Sequence, residues 1–213
     1  MDRRQFVHEL CAELQMMSIE WGCQTRIDSI DESIVRDLRS GGCTYIYFGI
    51  ETADESMLRS LGKKYSTKDV RNKLTLCHKY GIRVGASLIL GSPDANHYSR
   101  ETMETATETF RFVREHADSG PIVLTSVNLF GYYPGTLATL SLESRYPGTI
   151  KPETWTKPPF SESYPFSLLE EYPSQMPFGL LEDAPAFLEL ADSMIGDLLI
   201  GQDRYSVNTS PPA

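Results

Sequence analysis

Apolar residues recur at helical spacing from the start of the chain. Phe6, Val7, Leu10, Leu14 and Met17 share one face of a helix predicted over 4–17. A short strand over 20–27 follows and closes on Thr25-Arg26-Ile27-Asp28. A second helix is predicted from near Asp31, with Ile34, Val35 and Leu38 on one face. It stops at Gly41-Gly42, because glycine accepts the left-handed turn that ends many helices. Residues 44–50 are β-branched or aromatic almost throughout, a pattern that suits a strand buried on both faces of a parallel sheet.

A short helix from Asp54 and a longer one over 66–80 come next. Ser66-Thr67-Lys68-Asp69 has the form of a capping box with Asp in place of Glu, and Gly81 ends the helix. Residues 82–90 read as a third strand, broken by Gly91-Ser92-Pro93-Asp94. A helix from about Ser99 to Ala117 leads to a fourth strand over 122–129 and then to Gly131-Tyr132-Tyr133-Pro134-Gly135-Thr136. Strand and helix alternating in this register predict parallel βαβ units with right-handed crossovers, an α/β fold. Beyond 141 the pattern changes. Pro, Tyr and Ser dominate 146–178, an irregular wrapping segment, and a helix over 183–200 packs through Phe187, Leu188, Ala191, Ile195 and Leu198. Residues 208–213 read as a frayed end. Two regions result: 1–140, a partial barrel, and 141–213, an irregular and helical extension.

Composition narrows the function classes. The 213 residues are 40% hydrophobic and 23% charged, as in an ordinary globular protein. A net charge of −9 argues against a nucleic-acid surface, which needs clustered Lys and Arg. No stretch approaches the length of a membrane span, and Met1-Asp2-Arg3-Arg4-Gln5 carries no signal-peptide core, so a cytoplasmic location is expected. Cysteines 11, 23, 43 and 77 are too far apart for a CxxC or CxxxCxxC ligand loop. They read as small buried hydrophobes on separate elements, and no metal site is expected.

In parallel β/α barrels the chemistry gathers where strands end. Those ends supply Arg26 and Asp28, then Glu51, then the run from Ser87 to Asp94, then the run from Asn128 to Tyr133. Each also has a structural explanation. Arg26 and Asp28 suit an ion pair at a barrel rim, Glu51 a cap for the helix from Asp54, and Lys63-Lys64 a solvated charge pair. Gly91 and Pro93 suit a sharp turn.

Taken in order, these segments resemble the radical S-adenosylmethionine (radical SAM) superfamily, in particular the branch that often carries a cobalamin-binding domain. Trp21…Arg26-Ile27-Asp28 is similar to its third-strand motif, and Gly41-Gly42-Cys43-Thr44-Tyr45-Ile46-Tyr47-Phe48-Gly49-Ile50-Glu51-Thr52 to its fourth. Leu58…Lys63 resembles the segment after it. Gly81-Ile82…Leu90-Gly91-Ser92-Pro93 is similar to the fifth-strand motif, and Tyr133-Pro134-Gly135-Thr136 to the turn after the sixth. The resemblance covers residues 1–140. It implies a partial parallel (β/α) barrel with about four of the family's six βα units. It also implies a [4Fe–4S] cluster that reductively cleaves S-adenosylmethionine to a 5′-deoxyadenosyl radical acting on a small-molecule substrate.

By the same resemblance Arg26 and Glu51 contact the methionine or ribose portion of the cofactor, and Lys63 its carboxylate. Ser87, Ile89 and Gly91 lie along the ribose and adenine, with Asp28 and Asp94 as alternative contacts. The family's CxxxCxxC cluster loop has no counterpart among these residues. The chain alone is therefore expected not to be catalytic, with the cluster segment supplied by a separate chain or a longer parent that also offers a place for cobalamin. The strand over 20–27 would then form a sheet edge. The alternatives are a non-catalytic binding module of the same fold and an unrelated β/α-barrel enzyme using Lys63 or Glu51 as base or nucleophile.

Overall fold

A computed structural model describes residues 3–91, 101–130, 135–137, 140, 144 and 180–200. The first helix, α1 (Arg3–Met17), leads to β1 (Trp21–Thr25), α2 (Glu32–Ser40) and β2 (Cys43–Glu51). Helices α3 (Glu55–Ser60) and α4 (Thr67–Lys79) precede β3 (Arg83–Leu90), followed by α5 (Met103–Asp118), β4 (Ile122–Leu129) and α6 (Leu180–Ile195). The four strands form one parallel sheet in the order β1-β2-β3-β4, as the alternating pattern predicts. This is an α/β partial barrel, with β1 at one edge.

Local chemistry sets the element ends. Asp31 caps α2 by accepting from the Ile34 N–H, and Ser66 and Asp69 close a reciprocal capping box on α4. Thr102 and Thr105 make the same reciprocal arrangement at the start of α5, so that helix begins a turn later than the apolar pattern suggests. The first strand stops at Thr25, short of the predicted 27, because Ile27–Ser29 turn inward as a 3₁₀ helix that buries Ile27. The last helix ends at Ile195 instead of 200. Gly196–Leu198 tighten into a 3₁₀ turn, and the Ile200 N–H then donates to the Thr125 carbonyl, laying the chain beside β4.

The core lies between the sheet and its helices. Ile46, Phe48 and Ile50 of β2 and Val84, Ala86 and Leu88 of β3 are fully buried there against residues such as Val35, Leu74 and Phe110. The opposite face differs from the expectation of a strand buried on both sides: Tyr45 and Tyr47 are only half-buried. They lean across β3 at Gly85, where a side-chain carbon would overlap both the Tyr45 hydroxyl and the Tyr47 ring. Glycine is required there by close approach. Thr109, buried in α5, accepts from the Ala53 N–H and bonds Thr52, tying the end of β2 to the helix layer. Among the described residues no helix is long and apolar enough to cross a membrane. The predicted wrapping segment at 146–178, the residues at 208–213 and Tyr133-Pro134 lie outside the described residues.

Candidate functional site

The end of β2 is built around a backbone irregularity. The register with β3 shifts between Gly49 and Glu51, and Glu51 takes a φ of 69°, in the left-handed region. The Thr52 N–H donates to the Ile50 carbonyl at 2.9 Å, closing a γ-turn centred on Glu51. A non-glycine residue held there costs about 1–3 kcal/mol, and such strain collects at functional sites. The turn folds the Glu51 side chain back over Gly49, where any added carbon would meet its carboxylate. Tyr65, itself buried, donates its hydroxyl to the Gly49 carbonyl at 2.9 Å and fixes the turn from above.

Lys63 reaches this carboxylate because of how α3 ends. Gly62, with φ 67°, donates to the Arg59 carbonyl while the Lys63 N–H donates to the Leu58 carbonyl. This paired pattern terminates the helix and sends the following residue back toward the sheet. Lys63 Nζ stands 2.5 Å from Glu51 Oε1, with the two side chains 21% and 9% exposed. Lys63 is thus the ion-pair partner of Glu51 and not part of a solvated charge pair. Glu51 is no helix cap either: Asp54 caps α3, accepting from the Ser56 and Met57 N–H groups at 2.8 Å.

Arg26 follows β1 and binds both carboxylate oxygens of Asp28, through Nε at 2.9 Å and Nη2 at 2.7 Å. The guanidinium holds the Asp28 carboxyl below its usual range. Burial, then the charges of Glu51 and Asp28, push the Tyr65 hydroxyl far up, so it remains a protonated donor. Together Gln24, Thr25, Arg26, Gly49, Glu51, Lys63 and Tyr65 line a cavity of 280 Å³. The arrangement offers cations for a carboxylate and a carboxylate for an ammonium or hydroxyl group.

Of the residues expected at the site, Arg26, Glu51 and Lys63 therefore share one cavity, and Asp28 joins them through Arg26. Ser87 pairs with Gly49 one strand over, Ile89 follows on β3 and Gly91 lies just past its end, and none of the three lines the cavity. Gly91, with φ 76°, donates its N–H to Glu101 Oε2 at 2.6 Å. Asp94 lies outside the described residues. Tyr65 and Glu101 were not anticipated. Tyr65 sits two residues past Lys63 with no periodic signal, and Glu101 is the acid that meets the end of β3, ten residues beyond Gly91.

The cysteines do not fit an iron–sulfur cluster. Cys11, Cys43 and Cys77 are buried and Cys23 is half-buried, all as free thiols packed within or against the core. The neighbouring Cys43 thiol, then burial, raise the Cys23 thiol pKa and keep it protonated, while Cys43 donates to the Tyr45 carbonyl. Among the described residues no group of three or more His, Cys, Asp or Glu side chains is placed to hold a metal ion.

The sequence profile of the Radical SAM superfamily matches residues 2–107. An uncharacterized methyltransferase of Pyrococcus horikoshii is 28% identical over 99 residues, 46% of this chain and 20% of that protein. The chain thus spans about a fifth of the length of that relative. Among solved structures, coproporphyrinogen III oxidase (HemN) from Escherichia coli, a radical SAM enzyme, is similar with a TM-score of 0.54 and 16% identity. The match covers 87% of this chain and 38% of that one. The radical SAM methyltransferase TsrM from Kitasatospora setae, solved with cobalamin and a [4Fe–4S] cluster, gives a TM-score of 0.48 and 17% identity over 59% of this chain and 24% of that one.

Proposed function

The chain carries a Radical SAM superfamily domain, and from that premise we propose that the cavity between β1 and β2 holds the amino-acid end of S-adenosylmethionine. In this reading Lys63 and Arg26 face its carboxylate, and Glu51 accepts from its ammonium group or a ribose hydroxyl. Ser87, Ile89 and Gly91 border the nucleoside, with Asp28 orienting Arg26. Family membership implies that S-adenosylmethionine, when bound, supplies the radical or the group to be transferred. The residues present bind and orient it, and Tyr65 and Gly49 keep the Glu51 carboxylate aimed. The observation that carries the reading is the strained Glu51 turn paired with Lys63 at 2.5 Å inside a cavity.

Since all four cysteines of the sequence are described and do not fit a cluster, the proposal assigns its ligands to a segment outside these 213 residues, in a longer parent or another chain. The outer edge of β1, to which no described strand pairs, is where such a segment would add. The substrate class is a small molecule. Methyl transfer is the reaction that the Pyrococcus horikoshii relative's name suggests, and a cobalamin-using parent fits the branch that the motifs resemble. The binding-module alternative rests on the same cysteine geometry and separates from the enzyme reading by reconstitution.

Isothermal calorimetry with S-adenosylmethionine tests the site. Glu51→Gln and Lys63→Met should each weaken binding at least tenfold, while a surface change such as Lys68→Ala leaves it unaltered. Equal affinity in all four proteins would end the assignment. Anaerobic iron–sulfide reconstitution of the full chain should give no cluster absorption. A cluster formed and lost again in Cys23→Ser or Cys43→Ser would refute the exclusion of these cysteines.

A further inference from the structure

Gly91, just past the end of β3, takes a φ of 76°, yet nothing in its own sterics selects that value. Glycine populates positive and negative φ about equally, so the conformation must be imposed from outside the residue. Glu101 imposes it. The residue is 1% exposed, and its Oε2 accepts from the Gly91 N–H at 2.6 Å. One position earlier the Leu90 carbonyl accepts from the Phe130 N–H at 2.8 Å. The end of β3 is therefore gripped from two directions, by β4 through a backbone bond and by Glu101 through a side chain.

Glu101 stands immediately before Thr102, the N-cap of α5, whose first turn is closed by the reciprocal bonds of Thr102 and Thr105. About two turns further along the same helix, Thr109 Oγ1 accepts from the Ala53 N–H at 3.0 Å and bonds Thr52. One rigid helix thus holds both the strand end that carries Glu51 and the strand end that carries Gly91. In the cofactor reading these are two halves of one site, Glu51 at the amino-acid end and Gly91 beside the nucleoside. Their relative placement is set by α5 through Thr109 and Glu101.

We propose that Glu101 is a positioning residue for the nucleoside half of the site. Its carboxyl oxygen selects the left-handed conformation of Gly91 and so fixes the end of β3 against the ribose and adenine. It acts through the Gly91 backbone, and the inference rests on the cofactor reading for the identity of the ligand. What the position requires is an acceptor, so glutamine can stand in for glutamate and leucine cannot.

Calorimetry on the full chain tests this with three probes: S-adenosylmethionine, 5′-methylthioadenosine, which lacks the amino-acid end, and free methionine, which lacks the nucleoside. Glu101→Leu should weaken S-adenosylmethionine and 5′-methylthioadenosine alike, about 3- to 10-fold, the range of one net hydrogen bond, and leave methionine binding at the wild-type level. Glu101→Gln should bind all three as wild type does. Should the leucine variant not fold, Glu101→Ser gives the same comparison, because its short side chain lets water reach the Gly91 N–H. An equal loss of all three probes would mark a role in stability alone and overturn the proposal. So would unchanged 5′-methylthioadenosine binding in the leucine or serine variant, or a glutamine variant as weak as the leucine one. If wild type binds S-adenosylmethionine and Glu51→Gln weakens it while the Glu101 pattern is missing, the cofactor reading stands and the positioning role fails. If wild type binds neither S-adenosylmethionine nor 5′-methylthioadenosine, the cofactor reading fails and the positioning role falls with it.

Discussion

Replacing Glu51 by glycine in a chain that has already lost Lys63 should make the protein more stable. Lys63→Met leaves a carboxylate that is 9% exposed without its cation, and breaking such a pair costs about 3–5 kcal/mol. Glu51→Gly then removes the stranded charge and places at φ 69° the one residue that tolerates it, releasing about 1–3 kcal/mol of backbone strain. Against this stands about 0.5–1 kcal/mol for the added freedom of glycine in the unfolded chain. The double variant should therefore recover about 3–7 kcal/mol over Lys63→Met alone, read from urea unfolding midpoints at constant m. Its S-adenosylmethionine binding should not recover at all. A double variant no more stable than Lys63→Met would refute the claim that the turn stores strain in order to aim the carboxylate.

Other outcomes follow from neighbouring contacts. Tyr65→Phe keeps the packing but removes the donor to Gly49, and should cost about 1 kcal/mol of stability and several-fold in cofactor affinity by calorimetry. Thr109→Val leaves the N–H of the half-buried Ala53 without its partner, and should cost about 1–2 kcal/mol in chemical denaturation. The Asp28 carboxyl is depressed from 3.8 by Arg26, so its contribution to stability is present above that value and is lost as pH falls through the lower folded value. In Arg26→Gln its NMR titration midpoint should return toward 3.8. An unchanged midpoint would show that the pair does not persist in solution.

The sheet was legible because its signals are local. Gly41-Gly42, Gly81 and Ser66…Asp69 punctuate the chain where helices stop and start, and Ile46, Phe48 and Ile50 repeat with the period of a strand. The same alternation hid the inner face: Tyr45 and Tyr47 look as apolar as their neighbours, and only Gly85, about forty residues on, makes room for them. Arg26, Glu51 and Lys63 were readable as strand-end and helix-end residues. Tyr65 was not, since its role depends on a carbonyl sixteen positions away. The positive φ at Glu51 was equally hidden, because glutamate is not a residue whose presence announces that conformation.

The docking of Leu199 and Ile200 beside Thr125 sets the order in which the chain can complete itself. Synthesis releases β1 through β4 long before α6, so among the described residues nothing covers the outer edge of β4 or the apolar flank of α5 until that helix arrives. Phe187, Ala191 and Ile195 bury themselves only when that late helix arrives, with Asp197 clasping Arg114 at 2.6 Å. A nascent chain stalled before residue 180 thus lacks the Leu199–Ile200 segment that lies along β4 and the helix that buries its apolar face against α5.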